Sequence, residues 1–203
     1  TLPCQDLGAA TIVCPPSRRE GLAILRQLPR AAAALLVVTT SMMIEAQLDV
    51  LIPYVFAALG VRAVDISWVF SGKAVSWTAA SMLSSHMMDA GAYRPAPLVR
   101  LYALLGVMGL LALALFRTPG VVALTVLMID FCMSSATNAA SNLMMTETLA
   151  YDTALVPLLT GFKVAGGTFG DAFGGSFGGV LYSRTSLMTT AITFATISAV
   201  SVA

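Results

Sequence analysis

The sequence predicts an all-α polytopic membrane protein with six transmembrane helices, and three observations carry that prediction. Apolar runs fill residues 31–203, each offering about 17–25 mostly apolar residues, enough to cross a hydrocarbon core. Hydrophobic residues make up 58% of the chain and charged residues 10%, against about 45–50% and 25% in a soluble domain. With a mean hydropathy of +0.86, a water-facing surface could not be covered by polar groups. Short clusters of Gly, Pro and charged residues punctuate the runs as turns.

Residues 1–30 carry Arg18, Arg19, Arg26 and Arg30 with Pro15 and Pro16, and read as a cytoplasmic polar tail. They lack the order of a secretory signal, in which a basic segment precedes a short apolar core and a small-residue cleavage site. The first span runs from Ala31 to Leu59 and is stopped by Gly60, a residue suited to a helix C-terminus. The second covers Ser67 to Met88 and ends in the polar turn of Asp89, Gly91, Pro95 and Pro97. The third, Leu98 to Phe116, has no interior charge and so is free to face lipid throughout. After Arg117–Gly120 the fourth extends from Val121 to Leu149, and the fifth from Leu155 to Leu181. The sixth, Leu187 to Ala203, is cut short by the end of the chain; with Thr1 at its start, the sequence reads as a fragment.

Charges lie inside these runs. Glu45, Asp49, Lys73, Asp130, Lys163 and Asp171 all fall within apolar spans. An ionised side chain at the bilayer centre costs at least about 2.5–3.5 kcal/mol, so such residues mark functional sites by default. Glu45 and Asp49 are four apart and share one helix face, where two carboxylates can hold a proton or bridge a cation. The plainer reading pairs one of them with Lys73. Lys73 and Lys163 serve equally as charge partners or solute ligands. Asp130, Ser134, Thr137, Asn138 and Ser141 fall within about 100° of one another and form a polar stripe, expected to line a cavity rather than bond to a neighbouring helix. Gly166, Gly170, Gly174 and Gly178 recur every fourth residue, making a groove that lets another helix approach to backbone distance. Asp171 lies within this ladder, placed to hydrogen-bond across the contact.

Basic residues orient the chain. Arg18, Arg19, Arg26, Arg30, Arg94 and Arg100 fall on the side of the tail, and Arg62, Arg117 and Arg184 on the other, which favours a cytoplasmic N-terminus. Glu147 and Asp152 weaken the bias on the tail side.

Six spans, a cytoplasmic tail and a polar loop between the second and third spans resemble the N-terminal half of a major facilitator superfamily transporter. That superfamily carries Gly-x-Leu-x-Asp-Arg-x-Gly-Arg-Lys/Arg in this loop. Here the stretch is Ser85-His86-Met87-Met88-Asp89-Ala90-Gly91-Ala92-Tyr93-Arg94, in which Asp89 and Arg94 match while Ser85, Ala90, Ala92 and Tyr93 depart. Ile66-Ser67-Trp68-Val69-Phe70, Asn138-Ala139-Ala140-Ser141-Asn142 and Gly161-Phe162 are similar to the sodium-dependent glucose transporter-like branch. The resemblance covers about residues 31–203. It implies one half of a twelve-helix fold whose first and fourth helices line a central cavity, working by alternating access with a missing C-terminal half.

The expected function is secondary active transport of a small polar solute, a sugar among the candidates, coupled to Na+ or H+. Glu45, Asp49 and Asp130 would handle the ion, and Asn138 and Asn142 would meet solute hydroxyls. No further cofactor is expected. Two other classes compete. A non-transporting scaffold or receptor-like half would have little use for six intramembrane charges. An intramembrane serine protease is suggested by Gly174-Gly175-Ser176-Phe177-Gly178, but the available base, His86, falls at the opposite membrane face, so the chain is not expected to be an enzyme. Gly-x-Gly-x-x-Gly after a strand is missing, which argues against a dinucleotide site. Net charge of +1 argues against nucleic acid, and Cys4, Cys14 and Cys132 form no metal spacing. Cys132 and the methionines read as apolar filling.

Overall fold

The computed structural model describes residues 18–89, 91 and 94–202, and these are helical with short turns. The first seventeen residues, Ala90, Ala92, Tyr93 and Ala203 lie outside it, and with them Cys4, Cys14 and part of the loop motif. The helices are α1 (Arg18–Gln27), α2 (Pro29–Ala58), α3 (Ala63–Asp89), α4 (Pro95–Leu115), α5 (Pro119–Tyr151), α6 (Val156–Arg184) and α7 (Leu187–Val202). A short 3-10 turn, Thr153–Leu155, leads into α6.

Proline sets where several helices begin. α2, α4, α5 and α6 each carry one in the first two positions, where the missing N–H has no intrahelical partner to lose. Pro95 and Pro97 therefore start α4 instead of belonging to the preceding turn. Gly60, at φ 74°, ends α2 in a left-handed conformation that a glycine adopts without strain. Arg62 beyond it donates from Nε and Nη2 to Asp65, at 2.9 and 3.3 Å, in the first turn of α3.

Three helices, α2, α4 and α5, are both long and apolar enough to cross a membrane. α3 and α6, at 27 and 29 residues, have the length, about 40 Å at 1.5 Å per residue, but carry many Ser, Thr and Gly. α7, at 16 residues, reaches about 24 Å, short of a 30 Å core. The six expected spans thus correspond to six helices, three of which are apolar enough by themselves.

α2 is central, packing against α5, α6 and α7. α4 sits between α5 and α7, and α3 lies on α5. Two apolar clusters fill the bundle. One gathers Leu48, Phe56, Leu110, Ile129, Met133 and Phe194; the other gathers Leu25, Val37, Tyr102, Ala136, Met144 and Leu159. Between them α2 and α5 turn polar: Thr40, Ser41, Ser134 and Ser135 are buried, and Thr40 shares a 3.1 Å hydrogen bond with Ser201 of α7.

Two expectations change here. α4 does not face lipid throughout: Val99, Ala103, Leu110 and Leu113 are buried, while Leu101, Leu104, Met108 and Leu115 are exposed. Its buried edge is small at Gly106 and Gly109, where a side chain would overlap Met133 Cε and lie 2.6 Å from Ile129 Cγ1. Residues 18–27 of the tail are a helix, and it is tied to the bundle. Leu25 is buried, Gln27 accepts from the Tyr151 hydroxyl at 2.8 Å, and Arg30 at the head of α2 meets Glu147 at 3.2 Å.

Candidate functional site: a shared lysine at mid-bundle

Asp49, Lys73 and Asp130 come from three helices and lie within about two turns of each helix midpoint. Lys73, with 9% of its side chain exposed, donates to Asp49 Oδ1. Its Nζ also lies 3.5 Å from Asp130 Oδ1. The two carboxylates differ in surroundings. Asp49 has 55% of its side chain exposed, Asp130 only 4%. Asp130 Oδ2 is buried without a hydrogen-bond partner, and so is Glu45 Oε1 on the same face of α2 as Asp49. Glu45 interacts electrostatically with Asp130, Lys73, Asp171 and Asp49. One ammonium therefore stands among three carboxyl groups, Asp49, Asp130 and Glu45.

Asp171 on α6 is exposed and forms no hydrogen bond among the described residues, so the expected bond across the glycine ladder is not formed; its field reaches Asp49. Lys163 stands apart. It makes no ion pair among the described residues and lies eight residues, about 12 Å along α6, before Asp171. Among the described residues no group of three His, Cys, Asp or Glu side chains is placed to hold a metal ion.

The polar stripe of α5 turns mostly toward α3, not into a cavity. Ser134, 1% exposed, donates to the Trp77 carbonyl at 3.4 Å, and Asn138 Nδ2 donates to Ser81 Oγ at 2.9 Å. Asn142 contacts Met88 Sδ at 3.3 Å, and Ser141 donates back to the Thr137 carbonyl at 2.7 Å. The amide nitrogen of Asn138 expected to meet a solute is thus committed to a neighbouring helix. A hydroxyl in a membrane helix finds a partner on the next helix more cheaply than it remains alone. Cysteine at Ser134 is accordingly expected to resist a polar thiol reagent that labels cysteine at the exposed Asn142, in protein lacking Cys4 and Cys14; equal rates would show that the α3–α5 seam opens to water.

The glycine ladder lies on α2. The contacts of Gly166 with Thr39, Gly174 with Met43 and Gly178 with Gln47 rise together along both helices, so α2 and α6 run parallel. A Cβ at Gly166 would lie 2.7 Å from Thr39 Oγ1, and one at Gly178 2.7 Å from Gln47 Cγ. At Gly170 and Gly174 it would overlap the carbonyl oxygens of Thr39 and Met43. This contact sets α2, and with it Glu45 and Asp49, at a fixed height.

Gln47 escaped the sequence reading. It is fully buried on the far side of α2 from Asp49, and both amide atoms lack partners. Its signal was an amide inside a span, the same that marked the charges. Asp89 and Arg94 of the loop motif are exposed and form no ion pair among the described residues; between them Gly91 turns the chain at φ 65°. Ser176 and His86, both exposed, are not joined. His86 lies thirteen residues, about 20 Å along α3, past Lys73, whereas Ser176 lies near the level of Met43 to Val50. The chain matches no protein-family model, no curated protein and no solved structure.

Proposed function

We propose that this chain is a six-helix unit of a secondary active transporter that moves a small polar solute with a coupling cation. One observation carries the reading: an ion network of Asp49, Lys73 and Asp130 at mid-bundle, beside which Asp130 Oδ2 and Glu45 Oε1 are buried without partners. Such a group is costly in a membrane, and a purely structural ion pair would satisfy its oxygens. A small cation supplies what the network lacks.

The void between α2, α4 and α5, lined by Leu48, Leu51, Phe56 and Val126, holds about 10 Å³, at the lower limit for a single water molecule. On this reading a solute passes along a face of the unit. Asp49 marks that face. α3 exposes Ser67, Ser71, Ala74, Thr78 and Ser85 in one row, and α6 exposes Gly161, Ala165, Thr168, Ala172 and Ser176 in another. Rows of small residues suit close helix contact, and on this reading they meet the second six-helix half. The proposal includes six crossings with the N-terminus in the cytoplasm and membership of the major facilitator superfamily. Parallel α2 and α6 and the motifs noted above support that membership, with the sodium-dependent glucose transporter-like branch and a sugar as the leading case. The exposed rows also favour a second reading, a scaffold that binds helices without transport.

The protein together with the second six-helix half that the carrier reading requires, in proteoliposomes holding trapped pH and sodium dyes and challenged in turn with hexoses, pentoses and amino acids, separates the two. Solute-dependent proton or sodium entry that Asp49→Asn abolishes supports the carrier. Correct insertion with no solute-dependent flux from any of the panel, at either gradient, favours the scaffold. Reporter fusions in the connections α2–α3, α3–α4, α4–α5, α5–α6 and α6–α7 should alternate sides; two adjacent connections on one side would remove a crossing from the proposal.

A further inference from the structure

We infer that the elbow between α1 and α2 holds the headgroup of an anionic phospholipid, gripped by Arg26 and Lys163, with the start of an acyl chain on the apolar floor beside them. Such a site is independent of transport and needs only a chain that enters a membrane at α2. α1 and α2 are nearly one helix: the Leu28 N–H donates to the Ile24 carbonyl at 3.1 Å, and the Ala32 N–H to the Leu28 carbonyl at 3.0 Å. Leu28 itself, at φ -115° and ψ 69°, leaves the helical region and bends the chain. Leu25, Pro29 and Ala32 follow at i, i+4 and i+7, so they share one face across the bend. With Arg26 they line an open groove of about 440 Å³, in the size range of small-ligand sites.

Pro29 opens the first helix that is long and apolar enough to cross a membrane. The groove therefore sits at that helix's first turn, where headgroups meet hydrocarbon. Its floor is Leu25, Pro29 and Ala32, and its one charge is a cation. Arg26 is exposed and has no ion pair or hydrogen-bonded side-chain partner among the described residues; Arg30, one turn on, is taken by Glu147. A second cation comes from α6. Lys163, Gly166 and Gly170 follow at i, i+3 and i+7, so Lys163 continues the face of the glycine ladder one turn toward the start of α6. Gly166 meets Leu35 and Thr39. Since α2 and α6 run parallel, Lys163 falls one turn earlier, at the level of Ala32 and Leu35. It is half-buried and unpaired among the described residues. A lysine stem lies along apolar surface while its ammonium reaches for the headgroup layer. Two cations from different helices thus flank one apolar groove, and neither has an acid among the described residues. A phosphodiester supplies the missing anion, with two oxygens for the guanidinium fork. A free phosphate would leave the apolar floor unused; a lipid covers it.

The full chain in neutral detergent, titrated with phosphatidylglycerol or with phosphatidylcholine of the same acyl chains and read by native mass spectrometry, tests the site. One phosphatidylglycerol per chain should stay bound at concentrations where phosphatidylcholine has left. One cation beside acidic lipid accounts for about fivefold in affinity, so Arg26→Gln and Lys163→Gln should each weaken retention about fivefold. Arg26→Lys and Lys163→Arg keep the charge and should retain most of it. Arg117→Gln and Arg184→Gln remove exposed arginines at the other end of the bundle and should change nothing. Size exclusion in detergent checks that each variant is folded, and the charge-keeping variants stand in for any that is not. Equal retention of the two lipids would overturn the proposal. Equal losses in all four glutamine variants would also do so, since they would mean diffuse attraction to a basic chain. A loss confined to Arg26→Gln or to Lys163→Gln would overturn the two-helix grip. Displacement of the lipid by inorganic phosphate at matching concentration would assign the cations to a free anion and sink the lipid site.

Discussion

Gly174→Leu is expected to prevent the bundle from assembling. A Cβ at this position would lie 2.8 Å from Met43 Cα, 2.7 Å from its carbonyl carbon, and would overlap its carbonyl oxygen. A side chain that meets another side chain can rotate away; one that meets backbone must push a helix. Overpacking costs about 1–3 kcal/mol when neighbours can shift, and a clash with the backbone of α2 belongs at or above the top of that range. Even Gly174→Ala should lower the thermal midpoint in detergent. Gly161→Ala, where nothing lies within 4 Å, supplies the contrast. It should be neutral, or stabilise by up to about 1 kcal/mol through helix propensity. Fluorescence-detected size exclusion after heating measures both, and equal midpoints would mean that α6 does not rest on α2 at this level.

The second large effect is expected from Lys73→Met. It leaves Asp130 buried without its cation, and removing one partner of a buried pair costs about 3–5 kcal/mol. Asp49 suffers less, since water reaches it. Lys73→Met with Asp130→Asn should therefore recover most of the lost stability, while Lys73→Met with Asp49→Asn should recover little. If the two double variants were equally stable, Asp130 would not be the carboxylate that depends on Lys73. A single variant as stable as the parent would show that the network contributes nothing to the fold.

The hydroxyl and amide bonds along α3 and α5 are smaller matters. Asn138→Leu breaks the bond to Ser81, and interhelical bonds of this kind in membranes average about 0.6 kcal/mol with a maximum near 1.7. A loss well beyond that, read in the same thermal assay, would mean that Asn138 does more than join two helices.

Helix positions were legible because apolar length and turn residues act locally. Gly60 ends α2, and Gly91 turns the chain between α3 and α4, both at positive φ. The glycine ladder was legible for a related reason: a row of missing side chains leaves room for a backbone wherever the partner comes from. The burial of α4 was not. Its exposed Leu101 and Leu104 and its buried Leu98 and Leu110 are the same residue type, so hydrophobicity carries no information about which face meets lipid. Size does, and Gly106 and Gly109 were the clue.

By itself the sequence determined that this is an apolar, helical chain with charges where a membrane protein keeps few, and that Glu45 and Asp49 share one face of one helix. Only the tertiary structure decided which charges meet. Lys73 could have paired with any of several carboxylates, and Lys163 is as lysine-like as Lys73, yet one stands among three acids and the other about 12 Å along its helix from Asp171. The stripe of α5 likewise has the spacing of a cavity wall, but α3 covers much of it and takes its hydrogen bonds. Spacing along a helix fixes a direction around that helix. It does not fix what lies in that direction, because the neighbour is set by packing among residues far apart in the chain.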